Sequence, residues 1–285
     1  MTAETARTKP TTDIAPGATI YGPVKSWRYG RSLGIDMLVQ DSICSFNCVY
    51  CQLGNIHQVI DEQKVFVPTE RVIADLATVD MGQVDICTFS GSGEPTLALN
   101  LGEVIDHIRD TYDKGVLVLT NSTWLHDEAT RKRLARATIV DCKLDAASDE
   151  MLRRVNRVAP GVTIERILRG IKALRADPDF TGMLTMQVMF MPMNRKEAEP
   201  MADLIRDIGP DEIHLNTPLR PYPKQWYLGA RGNHTGDMPV ETAKLKTISL
   251  EEAEEIEALL RERTGVPVIS VYKKAPKTEG DADER

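Results

Sequence analysis

Three of the chain's five cysteines stand within eight residues, as Cys44-x3-Cys48-x2-Cys51. The thiolate is the metal-binding form of Cys, and one loop presenting three of them can surround an iron–sulfur centre. A [4Fe–4S] cube ordinarily takes four Cys, so a set of three leaves one iron open to another ligand, which points to chemistry rather than plain electron carriage. A structural zinc is the competing reading, although such sites normally close with four ligands. Cys87 stands in a buried apolar stretch, and Cys142, between Asp141 and Lys143, points opposite to them on an alternating strand, towards the helices. A free Cys there behaves as a small hydrophobe, so neither is expected to be a ligand.

Other stretches carry chemistry at the ends of apolar runs. Val84 to Ser90 leads into Gly91-Ser92-Gly93-Glu94-Pro95, where small residues permit close approach of backbone to a ligand and Glu94 supplies a carboxylate. Taken alone this stretch reads as a turn, because Gly and Pro punctuate loops; the cysteines upstream favour a site. In Thr138 to Asp145, the residues Asp141, Lys143 and Asp145 alternate and share one face. Charges on an interior face are costly unless paired or used, so an internal Lys–Asp pair and a ligand contact both stay open. Arg153, Arg154, Arg157 and Arg220 suggest an anionic substrate, since guanidinium groups suit carboxylates and phosphates.

The elements that must position these groups alternate along the chain. Apolar strand signals at about 33–40, 84–90, 115–120, 138–145, 182–191 and 212–216 are separated by amphipathic helical stretches, the pattern of parallel βα units. The polar groups follow strand C-terminal ends, where βα barrels place their sites. Residues 1–20 read as a disordered leader, 21–216 as the barrel, 217–273 as a lid loop with a helix and strand extension, and 274–285 as a disordered tail. Within 217–247, Arg220 lies between Pro218 and Pro221, and Trp226 and Tyr227 follow. That stretch is too aromatic for disorder and reads as a lid in which Arg220 and Trp226 meet substrate. Ser249 and Glu252 form a capping-box signature for the last helix.

Composition bounds the rest. No apolar run approaches ~20 residues and the N-terminus has no apolar signal region, so a cytoplasmic protein without membrane insertion is expected. Five cysteines, odd in number and clustered, speak against a secreted disulfide framework. The net charge of −7 gives no support to a nucleic-acid partner. The basic run at Arg131, Lys132, Arg133 and Arg136 reads as a solvated helix face.

At Cys44, Cys48 and Cys51, with Tyr50 as the aromatic before the last Cys, the chain resembles the radical S-adenosylmethionine (SAM) superfamily. The lead-in from Gly22-Pro-Val to Ser32-Leu-Gly-Ile35 and the run Cys51-Gln-Leu-Gly54 are similar to a group of iron–sulfur oxidoreductases near the wyosine-synthase-like proteins. The likeness spans about residues 21–220, with Trp27 standing where that group has the first Arg of a pair. The resemblance implies a partial (β/α)6 TIM-type barrel holding a [4Fe–4S] cluster on the three Cys and SAM on the open iron. It implies reductive cleavage of SAM to a 5′-deoxyadenosyl radical. Glu94 would meet the SAM amino group within the stretch Gly91, Ser92 and Gly93, and Lys143 and Asp145 the carboxylate or ribose. Tyr50, Asn121 and Gln187 complete the expected cofactor contacts, Gln187 towards ribose hydroxyls. Arg154, Arg157, Arg220 and Trp226 are the expected substrate contacts. The substrate class stays open among small molecules, peptides and nucleobases, with flavodoxin or ferredoxin as the reducing partner. A wyosine-like tRNA-modifying enzyme and a non-enzymatic metal-binding or electron-carrying protein are the alternatives.

Overall fold

The computed structural model describes residues 17–26, 28–39, 42–232 and 238–272. Trp27, most of the leader and the tail lie outside them. The expected alternation is realised as one eight-stranded sheet. In chain order its strands are β1 (Ile20–Ser26), β2 (Gly30–Ile35), β3 (Ile86–Phe89), β4 (Gly115–Thr120), β5 (Ile139–Lys143), β6 (Met183–Met189), β7 (Glu212–Asn216) and β8 (Val268–Ser270). Spatial order follows chain order throughout. Every pairing from β2 to β8 is parallel, and β1 pairs antiparallel with β2. β2 to β7 are thus the six strands of the partial barrel, with one strand added at each edge. Because β1 and β8 do not pair with each other, the barrel stays open between them.

Helices α1 (Thr69–Leu76), α2 (Leu101–Tyr112), α3 (Glu128–Leu134), α4 (Asp149–Val155), α5 (Ile164–Arg175), α6 (Ala198–Ile208) and α7 (Leu250–Thr264) supply the crossovers. Alternation along each strand sends one set of side chains out to these helices and the other into the lumen. Leu33, Ile35, Cys87, Phe89, Val116, Val118, Val140, Cys142, Leu184, Met186, Val188, Ile213 and Leu215 join the large core under the helices. Inward, Ile86, Leu117 and Ile139 close the base of the lumen with Tyr29 and Leu119. Burying a side chain of this size contributes roughly 1.5–3 kcal/mol, so the outward layer is what holds the barrel to its helices.

Some boundaries differ from the sequence reading, for local reasons. The first barrel strand ends at Ile35 rather than near 40, because Asp36 accepts hydrogen bonds from the backbone N–H groups of Leu38 and Val39 and turns the chain. Helix α1 starts at Thr69 with Pro68 at the N-cap position and no side-chain cap, and the Thr69 hydroxyl donates to Glu103. Pro200 is accommodated in the first turn of α6, where backbone N–H groups have no intrahelical acceptor. The capping box of α7 forms as expected, with both reciprocal hydrogen bonds between Ser249 and Glu252. No helix among the described residues is long and apolar enough to cross a membrane.

Candidate active site

The C-terminal ends of β2 to β7 open into one cavity of about 450 Å³. The Cys44, Cys48 and Cys51 side chains all line it. Their loop is held on both flanks. Asn47 N–H and Val49 N–H donate to the carbonyls of Asn156 and Val155 at the end of α4, and Ile43 bridges to Gly93. A turn from Cys48 O to Cys51 N–H sets the two later thiols on the same side. Behind Cys51, Gly54 adopts a positive φ of 82°, and a Cβ there would stand 2.3 Å from the Gln225 carbonyl oxygen. Only Gly lets the loop seat that closely on the C-terminal segment.

The Gly91–Glu94 turn is explained the same way. A Cβ on Gly93 would fall 1.6 Å from the Ile43 carbonyl oxygen, so the small residue admits the cysteine loop rather than a ligand alone. Ser92, expected to touch cofactor, is fully buried and does not line the cavity. Its N–H and hydroxyl both donate to Asp36. Asp36 also accepts from Arg231 at 2.8 Å, in an ion pair with both side chains at most 1% exposed. This carboxylate therefore ties the cysteine loop, the Gly91–Glu94 turn and the C-terminal segment together.

Glu94 faces the cavity and is held by four donors: Thr96 N–H, the Thr96 and Thr120 hydroxyls, and Asn121 N–H. Burial pushes its carboxyl above the ordinary range against those hydrogen bonds, a setting that favours a cationic partner. Glu94→Gln is expected to retain iron, lower stability by about 1–3 kcal/mol and weaken SAM binding by about tenfold. The amide NH2 must oppose a backbone donor, either Thr96 N–H or Asn121 N–H, and the charge is lost. Calorimetric SAM titration and thermal melts read the two effects; unchanged affinity removes Glu94 from the SAM site.

Along β5 the alternating charges take separate partners. Asp141 accepts from Arg28 at 2.7 Å and from the Thr185 hydroxyl at 2.9 Å. Burial alone would raise its carboxyl, but the Arg28 guanidinium beside it holds it down to about 2. Arg28 also donates to His214 Nδ1 at 2.9 Å, which leaves the ring proton on Nε2 facing Glu212 at 2.6 Å. This buried network floors the cavity. Lys143 donates to Gln187 at 2.9 Å and lies over the Tyr50 ring. Asp145 is buried outside the cavity lining, accepting from Tyr50 OH, Asn156 Nδ2 and Met189 N–H. The three alternating charges of this strand thus have different partners, and only Asp141 and Lys143 line the cavity. Asn121 reaches Ser45 at 2.8 Å and the Cys44 sulfur at 3.6 Å.

The expected substrate contacts separate. Arg220 lies on the cavity rim and, among the described residues, has no hydrogen-bond or ion-pair partner. Nearby, Thr217 is 5% exposed and its buried hydroxyl has no partner among the described residues. Arg154 and Arg157 do not line the cavity: both are exposed, Arg154 near Glu150 on its own helix and Arg157 past the helix end at a positive φ of 47°. Trp226 packs on His57 at 5.6 Å rather than lining the cavity, while Tyr227 N–H donates to the Leu53 carbonyl. Segment 217–222 thus borders the cavity and 223–227 braces the cysteine loop. The other basic run is neutralised, Arg131 by Asp177 and Arg136 by Asp106 and Asp110.

The donor set fits an iron–sulfur centre. Burial pushes all three thiols up, Cys48 to about 12, so their thiolates require the compensating charge of a metal centre. Among the described residues no three His, Cys, Asp or Glu side chains gather about one point as for a single ion; a cube offers each thiolate its own iron. Sequence reasoning missed Asp36, Arg231, Asn156 and Thr217, none of which belongs to a spaced motif.

Comparison with known proteins agrees with this geometry. Residues 42–205 match the radical SAM superfamily. A UPF0026 protein of Synechocystis sp. is 42% identical over 254 residues, which cover 87% of this chain and 94% of that protein. The fold is similar to that of TYW1 solved with a lysine-pyruvate adduct bound, with a TM-score of 0.57 and 18% identity over 82% of this chain and 75% of TYW1. It is also similar to Streptococcus suis SuiB bound to S-adenosylmethionine, with a TM-score of 0.55 and 14% identity over 81% of this chain and 48% of SuiB.

Proposed function

Because the chain belongs to the radical SAM superfamily, and within it to the UPF0026 family, we propose that it is an enzyme using one [4Fe–4S] cluster and SAM to begin radical chemistry on an anionic substrate. Enzymes are the general rule in that superfamily. One observation carries the reading: three thiols, a buried carboxylate and a lysine arrive on one cavity from the ends of β2, β3 and β5. When bound, the cluster and SAM supply one-electron cleavage of SAM to methionine and a 5′-deoxyadenosyl radical, which takes a hydrogen atom from substrate.

The chain supplies position and environment. Cys44, Cys48 and Cys51 hold three irons. Glu94, held in place by its four donors, accepts from the SAM ammonium. Lys143 is in no ion pair among the described residues and attracts the SAM carboxylate; Gln187 beside it is placed for the ribose. Arg220 and Thr217 take the anionic group of the substrate, a role that fits their lack of partners. Segment 217–222 limits water over the cavity. A flavodoxin or ferredoxin supplies the electron.

The reading is tested by anaerobic reconstitution, reduction with dithionite and assay of 5′-deoxyadenosine after SAM addition. Iron-loaded protein that neither binds nor cleaves SAM would leave an electron carrier as the better description. Arg220→Ala is expected to keep substrate-free SAM cleavage within about twofold of wild type, since a surface substitution usually changes stability by no more than ~0.5 kcal/mol. It should abolish stimulation by cell-extract fractions that accelerate the wild type. Equal stimulation of both proteins would dismiss the Arg220 contact.

A further inference from the structure

The Asn156 side chain is fully buried at the C-terminal cap of α4, although it lies outside the cysteine motif. Its Nδ2 is 2.7 Å from Asp145 Oδ2 and 3.3 Å from the Cys48 sulfur. Asn and its mirror-flipped amide are hard to tell apart by shape, but the neighbours decide it here. A carboxylate accepts only, so the NH2 end must face Asp145. One of its two hydrogens then serves Asp145 and the other faces the Cys48 sulfur, with the Tyr50 hydroxyl at 3.4 Å as the longer, weaker neighbour.

The amide is held in that pose. Asp145 is fixed at Oδ1 by Met189 N–H and at Oδ2, the oxygen that Asn156 uses, by Tyr50 OH. Asn156 N–H continues the helix to the Leu152 carbonyl, and its own carbonyl accepts from Asn47 in the cysteine loop. The amide oxygen Oδ1 is buried and has no partner among the described residues. Turning the group over would place this acceptor against the Asp145 carboxylate, so the donor stays on the sulfur.

We propose that Asn156 is a positioning residue that sets the reduction potential of the iron–sulfur cluster through its N–H···S hydrogen bond to Cys48. This rests on the cluster reading above. Adding one electron increases the negative charge shared by the cluster and its thiolates. A donor fixed on a ligating sulfur stabilises that charge and raises the potential, and hydrogen bonds to sulfur are among the determinants of such potentials. Asn121 makes the corresponding contact to Cys44 at 3.6 Å, but its shorter bond is to Ser45 at 2.8 Å. Its contribution is therefore the smaller one.

The test is an EPR-monitored redox titration of the reconstituted full chain without SAM, with iron measured per chain. Asn156→Ala is expected to retain the cluster and shift its midpoint to a more negative potential. Asn121→Ala should shift it the same way by less. Asn194→Ala removes the amide that donates to the Asp145 and Met189 carbonyls but leaves Asn156 on Cys48, so its midpoint should match wild type. An unchanged midpoint in Asn156→Ala overturns the inference. So does an Asn194→Ala shift as large as that of Asn156→Ala, which would place the effect in Asp145 packing. If Asn156→Ala fails to hold iron, Asn156→Leu, which is close in shape and has no side-chain donor, is read by the same criteria. Failure of the wild type to show a [4Fe–4S] signal would instead defeat the cluster reading itself.

Discussion

Replacing Cys44, Cys48 or Cys51 with Ala is expected to eliminate stable cluster binding and all SAM cleavage, whereas Cys87→Ala and Cys142→Ala keep wild-type iron. The first three side chains line one cavity, and losing any of them leaves two irons anchored instead of three. Cys87 and Cys142 point the other way, into the core beneath the helices, and are fully buried there. Their replacement removes only a buried sulfur atom, at a cost of about 1 kcal/mol. Iron per chain, the visible absorption of the reconstituted protein and 5′-deoxyadenosine yield give the comparison. A Cys87→Ala protein that expresses normally yet carries no iron would sink the three-ligand assignment.

Asp36→Ala is expected to lower stability by about 3–5 kcal/mol, because removing one partner strands a buried charge. Arg231 is fully buried, and its Nη1 donates to Asp36 and to the Ala18 carbonyl. Its Nε and Nη2 have no other partner among the described residues. The same change orphans the N–H groups of Leu38, Val39 and Ser92, on the two loops that bring the thiols and Glu94 together. Iron retention should therefore fall along with the denaturation midpoint. Adding Arg231→Leu should restore part of the loss, since two apolar side chains need no partner. A loss under ~1 kcal/mol in denaturant titration would mean that the pair is solvated rather than buried.

The Arg residues show where a sequence reading reaches its end. Arg154, Arg157 and Arg220 look alike as isolated cations near strand ends. A guanidinium is equally at home on a solvated helix end and in an anion site, so residue type cannot choose between them. Backbone direction chooses: α4 carries Arg154 outward and the left-handed turn at Arg157 does the same, while Arg220 stays on the cavity rim. Trp226 was legible as an ordered aromatic but not as a brace. Its partner His57 belongs to a different loop, and nothing in the local pattern connects them.

The sequence by itself determined what depends on near neighbours: the three-thiol donor set, the alternation that separates lumen from core, the order of βα units and the capping box of α7. Spacing along one chain dictates those, because period and loop geometry act over a few residues. Only the tertiary structure decided the pairings Cys48–Asn156, Arg28–Asp141 and Asp36–Arg231, which are 108, 113 and 195 residues apart. Each arises because the curled parallel sheet brings distant stretches of chain together, at the strand-end rim for Cys48–Asn156 and Asp36–Arg231 and on the cavity floor for Arg28–Asp141, where a buried polar group must find a partner wherever in the chain that partner lies.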